Sequence, residues 1–103
     1  LYSLMYRKRP RTRVEIYADI LLSLDKMGNC DRLSRLAMMV GVPYDRLIRY
    51  LNELKGLGLI RWDSSSVYLS KKGLELLVDS RGIRDELVLA LTGLVQGSVK
   101  TIT

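Results

Sequence analysis

Histidine is absent from the 103 residues, and cysteine occurs once, as Cys30. A lone thiol forms no internal disulfide, and without histidine no zinc constellation is plausible, so Cys30 reads as an inert packed side chain. The same scarcity argues against catalysis. General acid–base chemistry near neutral pH draws on histidine or a carboxylate pair, and a nucleophilic Ser or Cys needs a base beside it. Neither arrangement is readable here. The phosphate-cradling patterns GxGxxG and GxxxxGK[ST] are also missing, and the "GLG" of Gly56 to Gly58 ends a helix instead of joining a strand to one. The chain is therefore expected not to be an enzyme, with no cofactor and no readable small-molecule ligand. No apolar run approaches the ~20 residues of a membrane span. The opening "LYSLMYRKRPRTR" has neither the hydrophobic segment nor the small-residue cleavage site of a signal peptide, which makes the cytoplasm the expected location.

Acidic residues are missing from the first 13 positions, where Arg7, Lys8, Arg9, Arg11 and Arg13 supply most of the net charge of +6. The rest of the chain holds the other 12 basic residues against all 11 acidic ones, so it is nearly neutral. Residues 1–11 form a basic arm, which either solubilises the protein or follows a polyanion. What remains, 48% hydrophobic over the whole length, suffices for one domain with a modest core.

Thr12 followed by Glu15 is a capping-box pattern, and Ile16, Tyr17, Ile20, Leu21 and Leu24 then keep helical spacing. Helix one is predicted from about Arg13 to Met27, stopped by Gly28. A brief strand is possible over Asn29 to Arg32. Leu33, Leu36, Ala37 and Val40 define a short second helix closed by Gly41. A third helix begins after Pro43. At 100° per residue, Leu47, Leu51 and Leu54 fall on one side of it, with Ile48 and Tyr50 flanking. Asp45, Arg49, Asn52 and Glu53 fall opposite, with Arg46 at their edge. In "LIRWDSSSVYL" a loop of Asp63 to Ser66 pairs Trp62 with Val67 and Ile60 with Leu69, leaving Arg61 and Tyr68 on the other face. Trp62 is then a core or hairpin-base residue. Ser70 is a fair N-cap for a last helical region, which carries Lys71 and Lys72 where positive charge opposes the helix dipole. Gly82 interrupts that region. Beyond it, Ile83, Leu87, Ala90, Leu91 and Leu94 form an apolar stripe that suggests a partner surface. "QGSVKTIT" shows no helical pattern and reads as a frayed end.

This order predicts a mainly α fold with a small β-hairpin, α+β in class: a winged helix-turn-helix with a C-terminal dimerisation helix. In that fold the third helix enters the DNA major groove and the hairpin wing lies along the backbone. Residues 12–73 would be the DNA-binding domain, 74–97 the dimerisation region and 98–103 a frayed tail. The recognition helix spans about Tyr44 to Leu57. Arg46 and Arg49 suit guanine, and Asn52 suits adenine. Arg35, Tyr44 and Asp45 are further DNA-facing candidates. Arg61, Ser64, Ser65 and Ser66 would serve from the wing, and Lys71 and Lys72 from the helix behind it. Arg9, Arg11 and Arg13 would serve from the arm.

The sequence resembles the small archaeal winged helix-turn-helix proteins known as predicted transcriptional regulators or chromatin-associated DNA binders. "RTRVEIYADIL", "YDRLIRYLNELKGLGLI" and "VYLSKKGLELL" carry the likeness, over about residues 11 to 78. It implies a nucleoid-associated homodimer held by an antiparallel coiled coil of C-terminal helices, presenting two recognition helices to duplex DNA. Gly82, inside what should be one long helix, departs from the family and leaves a kinked or two-piece arrangement open. Two other functions stay open. One is a winged-helix protein-interaction module, favoured by the Asp45 and Glu53 carboxylates. The other is RNA binding through the arm, although exposed aromatic pairs for stacking bases are lacking.

Overall fold

A computed structural model describes residues 10–64 and 66–100, leaving aside the side chains of 97–100. Residues 1–9 of the basic arm, the loop residue Ser65 and the last three residues of the expected tail lie outside that description.

Helix α1, Arg13–Met27, starts at a complete capping box. The Glu15 amide donates to the Thr12 hydroxyl at 3.2 Å, and the Thr12 amide donates to the Glu15 carboxylate at 2.7 Å. Ile16, Tyr17, Ala18, Ile20, Leu21 and Leu24 are all buried. That set covers more than one face, so the helix must be enclosed on several sides. Several of the helices and strands that follow enclose it. Strand β1, Asn29–Cys30, follows α1, and helix α2, Leu33–Val40, packs beside it. Helix α3, Tyr44–Gly56, buries Leu47, Tyr50, Leu51 and Leu54.

Strands β2, Ile60–Trp62, and β3, Val67–Leu69, pair in the expected register, with Ile60 opposite Leu69 and Trp62 opposite Val67. Two residues of β1 join the other edge of β3, giving a three-stranded antiparallel sheet in the order β1-β3-β2. The brief strand after α1 is thus a sheet edge that ties the wing to the start of α2.

Helix α4, Lys71–Asp79, follows the Ser70 N-cap, whose hydroxyl accepts from the Gly73 amide at 3.0 Å and donates to the Gly58 carbonyl at 2.6 Å. Arg81 and Gly82 then adopt φ of 58° and 67°, which ends α4 and turns the chain back. Helix α5, Arg84–Lys100, lies against α1. The arrangement is therefore two-piece, and the expected division at residue 73 falls inside α4.

Two expectations are corrected here. Leu87 and Leu91 are fully buried in the chain's own core, and Leu94 is partly buried against it. Burying each leucine is worth about 1.5–3 kcal/mol, and α1 has an apolar face that needs this cover. A stripe of leucines has the same spacing whether it meets its own chain or another. Of the five residues assigned to a dimer seam, Ile83 remains half exposed and Ala90 is intermediate. The second correction concerns the tail, since α5 continues through Gln96 to Lys100. Once a helix is nucleated, each further residue adds a hydrogen bond at little cost, so weak formers can extend it. Among the described residues, no helix is long and apolar enough to cross a membrane.

Candidate nucleic-acid interface

The turn between α2 and α3 depends on Gly41, whose left-handed φ of 82° favours glycine. Its amide donates to the Ala37 carbonyl at 2.8 Å, and that of Val42 donates to the same oxygen at 3.1 Å. Pro43 then caps α3 in an extended conformation. The leucine side of α3 is buried, which turns Tyr44, Asp45, Arg46, Arg49 and Asn52 outward, all exposed. Asn52 donates to the Ile48 carbonyl at 3.2 Å, a bond that does not use its side-chain carbonyl oxygen.

Arg49 lies over the Tyr50 ring, 5.3 Å from its centroid. Tyr50 meets Tyr17 edge to face at 6.0 Å, and Arg13 lies over Tyr17 at 5.9 Å. The hydroxyl of Tyr17 donates to the Glu53 carboxylate. Burial, then that bond and the Glu53 charge, push the Tyr17 hydroxyl far above its ordinary range. Glu53 is thus half-buried and engaged with α1, which corrects its placement on the open face.

The start of α2, the start of α3 and the wing open onto a common cleft of about 330 Å³. Arg32, the N-cap of α2, and Ser34 within it line the cleft, with Tyr44 from α3 and Trp62, Ser64 and Ser66 from the wing. The wing turn is closed by Asp63, whose amide donates to the Ser66 carbonyl at 3.1 Å and whose side chain accepts from the Ser66 amide at 3.0 Å. Arg61 faces a recess on the wing that it shares with Lys55 of α3. Arg35 shares the flank of α2 with Arg32 and Met38. Arg32 and Lys55 line these recesses as well, although the sequence did not single them out.

Two of the assigned DNA contacts, both exposed, also have structural work. Arg11 donates to Asp19 and to the Val40 carbonyl, both at 2.8 Å, and to the Gly41 carbonyl at 3.0 Å. It clamps the turn to α1, because the last carbonyls of α2 are acceptors without helical partners. Lys72 donates to the Leu57 carbonyl at 3.2 Å and closes the end of α3 in the same way. Lys71 is exposed. Asp19 also accepts from Arg84 at 2.6 and 3.2 Å. Burial alone would raise the Asp19 carboxyl, but hydrogen bonds from Arg84 and Arg11 outweigh it and hold the group below the usual carboxylate range. Arg9 and Ser65 lie outside the described residues. No cluster of Cys, Asp or Glu among the described residues could hold a metal ion.

A helix-turn-helix backed by a sheet whose hairpin flanks the exposed helix defines the class. The chain belongs to the winged helix-turn-helix family, whose match runs over residues 10–87. Among solved structures it is similar to Pseudomonas aeruginosa HmgR, at 31% identity and a TM-score of 0.57. The likeness covers 64% of this chain and 28% of that one, so this chain spans well under a third of its neighbour's length. No curated protein matches the chain. The winged helix-turn-helix is a DNA-binding fold.

Proposed function

We propose that the protein is a transcriptional regulator that binds double-stranded DNA with sequence-specific or semi-specific recognition. Helix α3 lies in the major groove in this reading, with Arg46, Arg49 and Asn52 toward the bases. The wing from Arg61 to Tyr68 follows the backbone, and Arg13 continues the basic surface toward the arm. The observation that carries the reading is the shared cleft: the two helix starts and the wing tip converge, and exposed arginines flank them on α2, α3 and the wing. The protein-interaction alternative loses support, because Glu53 is engaged with Tyr17 and leaves Asp45 as the exposed carboxylate of the pair that had favoured it.

A homodimer on the nucleoid of the cytoplasm is part of the proposal, with its seam moved outward. Leu87 and Leu91 are used within the chain, while Ile83 at 50% and Leu89 at 68% exposure remain available to a second copy. A gel shift with random and selected duplexes at two salt concentrations tests the function. Binding that weakens steeply with salt supports it, and no binding to any duplex refutes it.

A further inference from the structure

On α3, positions 46, 49, 50 and 53 follow one another along a single edge of the helix. That edge carries Arg46 and Arg49, and it also carries Glu53, which has the wrong sign for a surface that meets phosphates. The spacing of Arg49 and Glu53 is the i, i+4 spacing at which a helix readily forms an internal ion pair. Such a pair would hold the Arg49 guanidinium away from a base edge.

The structure arranges these groups otherwise. Glu53 accepts from the Tyr17 hydroxyl on the neighbouring helix, and Arg49 lies over the Tyr50 ring. Tyr17 acts at both points, because its ring also meets Tyr50 edge to face at 6.0 Å. A guanidinium over an aromatic face keeps its N–H groups around its rim, where they can still donate to acceptors in the ring's plane of approach. A guanidinium paired with a carboxylate has already used part of that edge.

We propose that Tyr17, though buried in α1, is a positioning residue for DNA recognition: it draws Glu53 away from Arg49 and supports the tyrosine on which Arg49 rests. The inference rests on the reading of α3 as the recognition helix. It goes beyond that reading by assigning a specificity role to a residue that meets no DNA. Burial and the Glu53 bond both favour the protonated hydroxyl, so Tyr17 remains a donor throughout the neutral range.

Removing the hydroxyl with Tyr17→Phe keeps the ring and releases Glu53 to Arg49. Affinity for a selected duplex should then fall about three- to fivefold at about 50 mM salt. The deficit should shrink toward about 200 mM, as screening weakens both the new ion pair and the repulsion of phosphates. Glu53→Gln in the same chain should restore affinity to within about twofold without restoring the melting temperature, because glutamine removes the competing charge but does not return the lost hydroxyl. In an Arg49→Ala background, Tyr17→Phe should change affinity much less. A purely structural role predicts that affinity and melting temperature move together in all these variants. The proposal is overturned if folded Tyr17→Phe protein binds the selected duplex as the parent does, or if Glu53→Gln leaves its deficit in place. Failure of the parent chain to bind any duplex would overturn the DNA-binding reading itself, and this inference with it.

Discussion

Gly73 sits in the first turn of α4, where the helix crosses the backbone that leads from α3 into the wing. A Cβ at this position would lie 2.2 Å from the Leu59 carbonyl oxygen and 3.2 Å from its carbon. A backbone atom cannot rotate aside as a side chain can, so Gly73→Ala must shift α4 or the β2 end by about an ångström. The same carbonyl accepts from the Ser70 amide at 3.1 Å, so the shift also strains the bond that ties the N-cap residue to the start of β2. Overpacking of this kind costs about 1–3 kcal/mol, and weakening the bond adds about 1 kcal/mol. Alanine's better helix propensity returns about 1 kcal/mol. The net loss should be about 2 kcal/mol, or roughly 10 °C in melting temperature for a domain of this size. Gly93, in α5, has nothing within 4 Å of the place a methyl group would take and serves as the control. Gly93→Ala should leave the melt unchanged or raise it slightly. The comparison is read by circular dichroism melts of the parent and the two variants. Gly73→Ala melting at or above the parent would refute the close approach as a constraint on the fold.

Arg49→Ala should lower affinity for a selected site by about 1–3 kcal/mol while sparing random duplex and thermal stability. Leu51→Ala, at a fully buried position, should instead cost about 2–5 kcal/mol of stability in a denaturant melt. Asp19 has a depressed carboxyl pKa, so its contribution is present above the unfolded value of about 3.9 and is lost as pH falls through the lower folded value. Unfolding curves from neutral pH to below about 4 should show the parent's advantage over Asp19→Asn shrinking with acid, and a constant gap would contradict the linkage. Leu87→Glu should unfold the chain, whereas Ile83→Glu should leave it folded and shift sedimentation toward the monomer. A folded, monomeric Leu87→Glu protein would return that residue to an interface.

Periodicity made the helices and the wing legible. The leucines of α3 recur at helical spacing and the residues of the wing alternate, and both patterns have the periods of their secondary structures. The Asp63 turn even set the register. Periodicity reports that a face is apolar, however, without saying what covers it. For that reason the α5 stripe reads as a surface for a second chain, whereas α1 is the surface it meets. Polar side chains were legible by type but not by partner. Arg11 and Lys72 carry the charge that suits a phosphate, yet both are held by carbonyls at helix ends, 30 positions away for Arg11 and Gly41 and 15 for Lys72 and Leu57. Such pairings exist only once the helices have packed. The Tyr17–Glu53 bond, across 36 positions, was hidden for the same reason.

The packing of α5 on α1 also bears on how the protein is made. A ribosome releases α1 early and the residues around Leu87 and Leu91 late, at about 5–20 residues per second. Until those two leucines emerge, the far side of α1 has no cover, and Asp19 has one arginine where the finished protein supplies two. The helix-turn-helix and wing are complete in sequence well before that moment, yet the core on which they rest is not. A nascent chain stalled before Leu87 should therefore be open to proteases and chaperones across its helix-turn-helix and wing, and should close in one late step as α5 clears the exit tunnel.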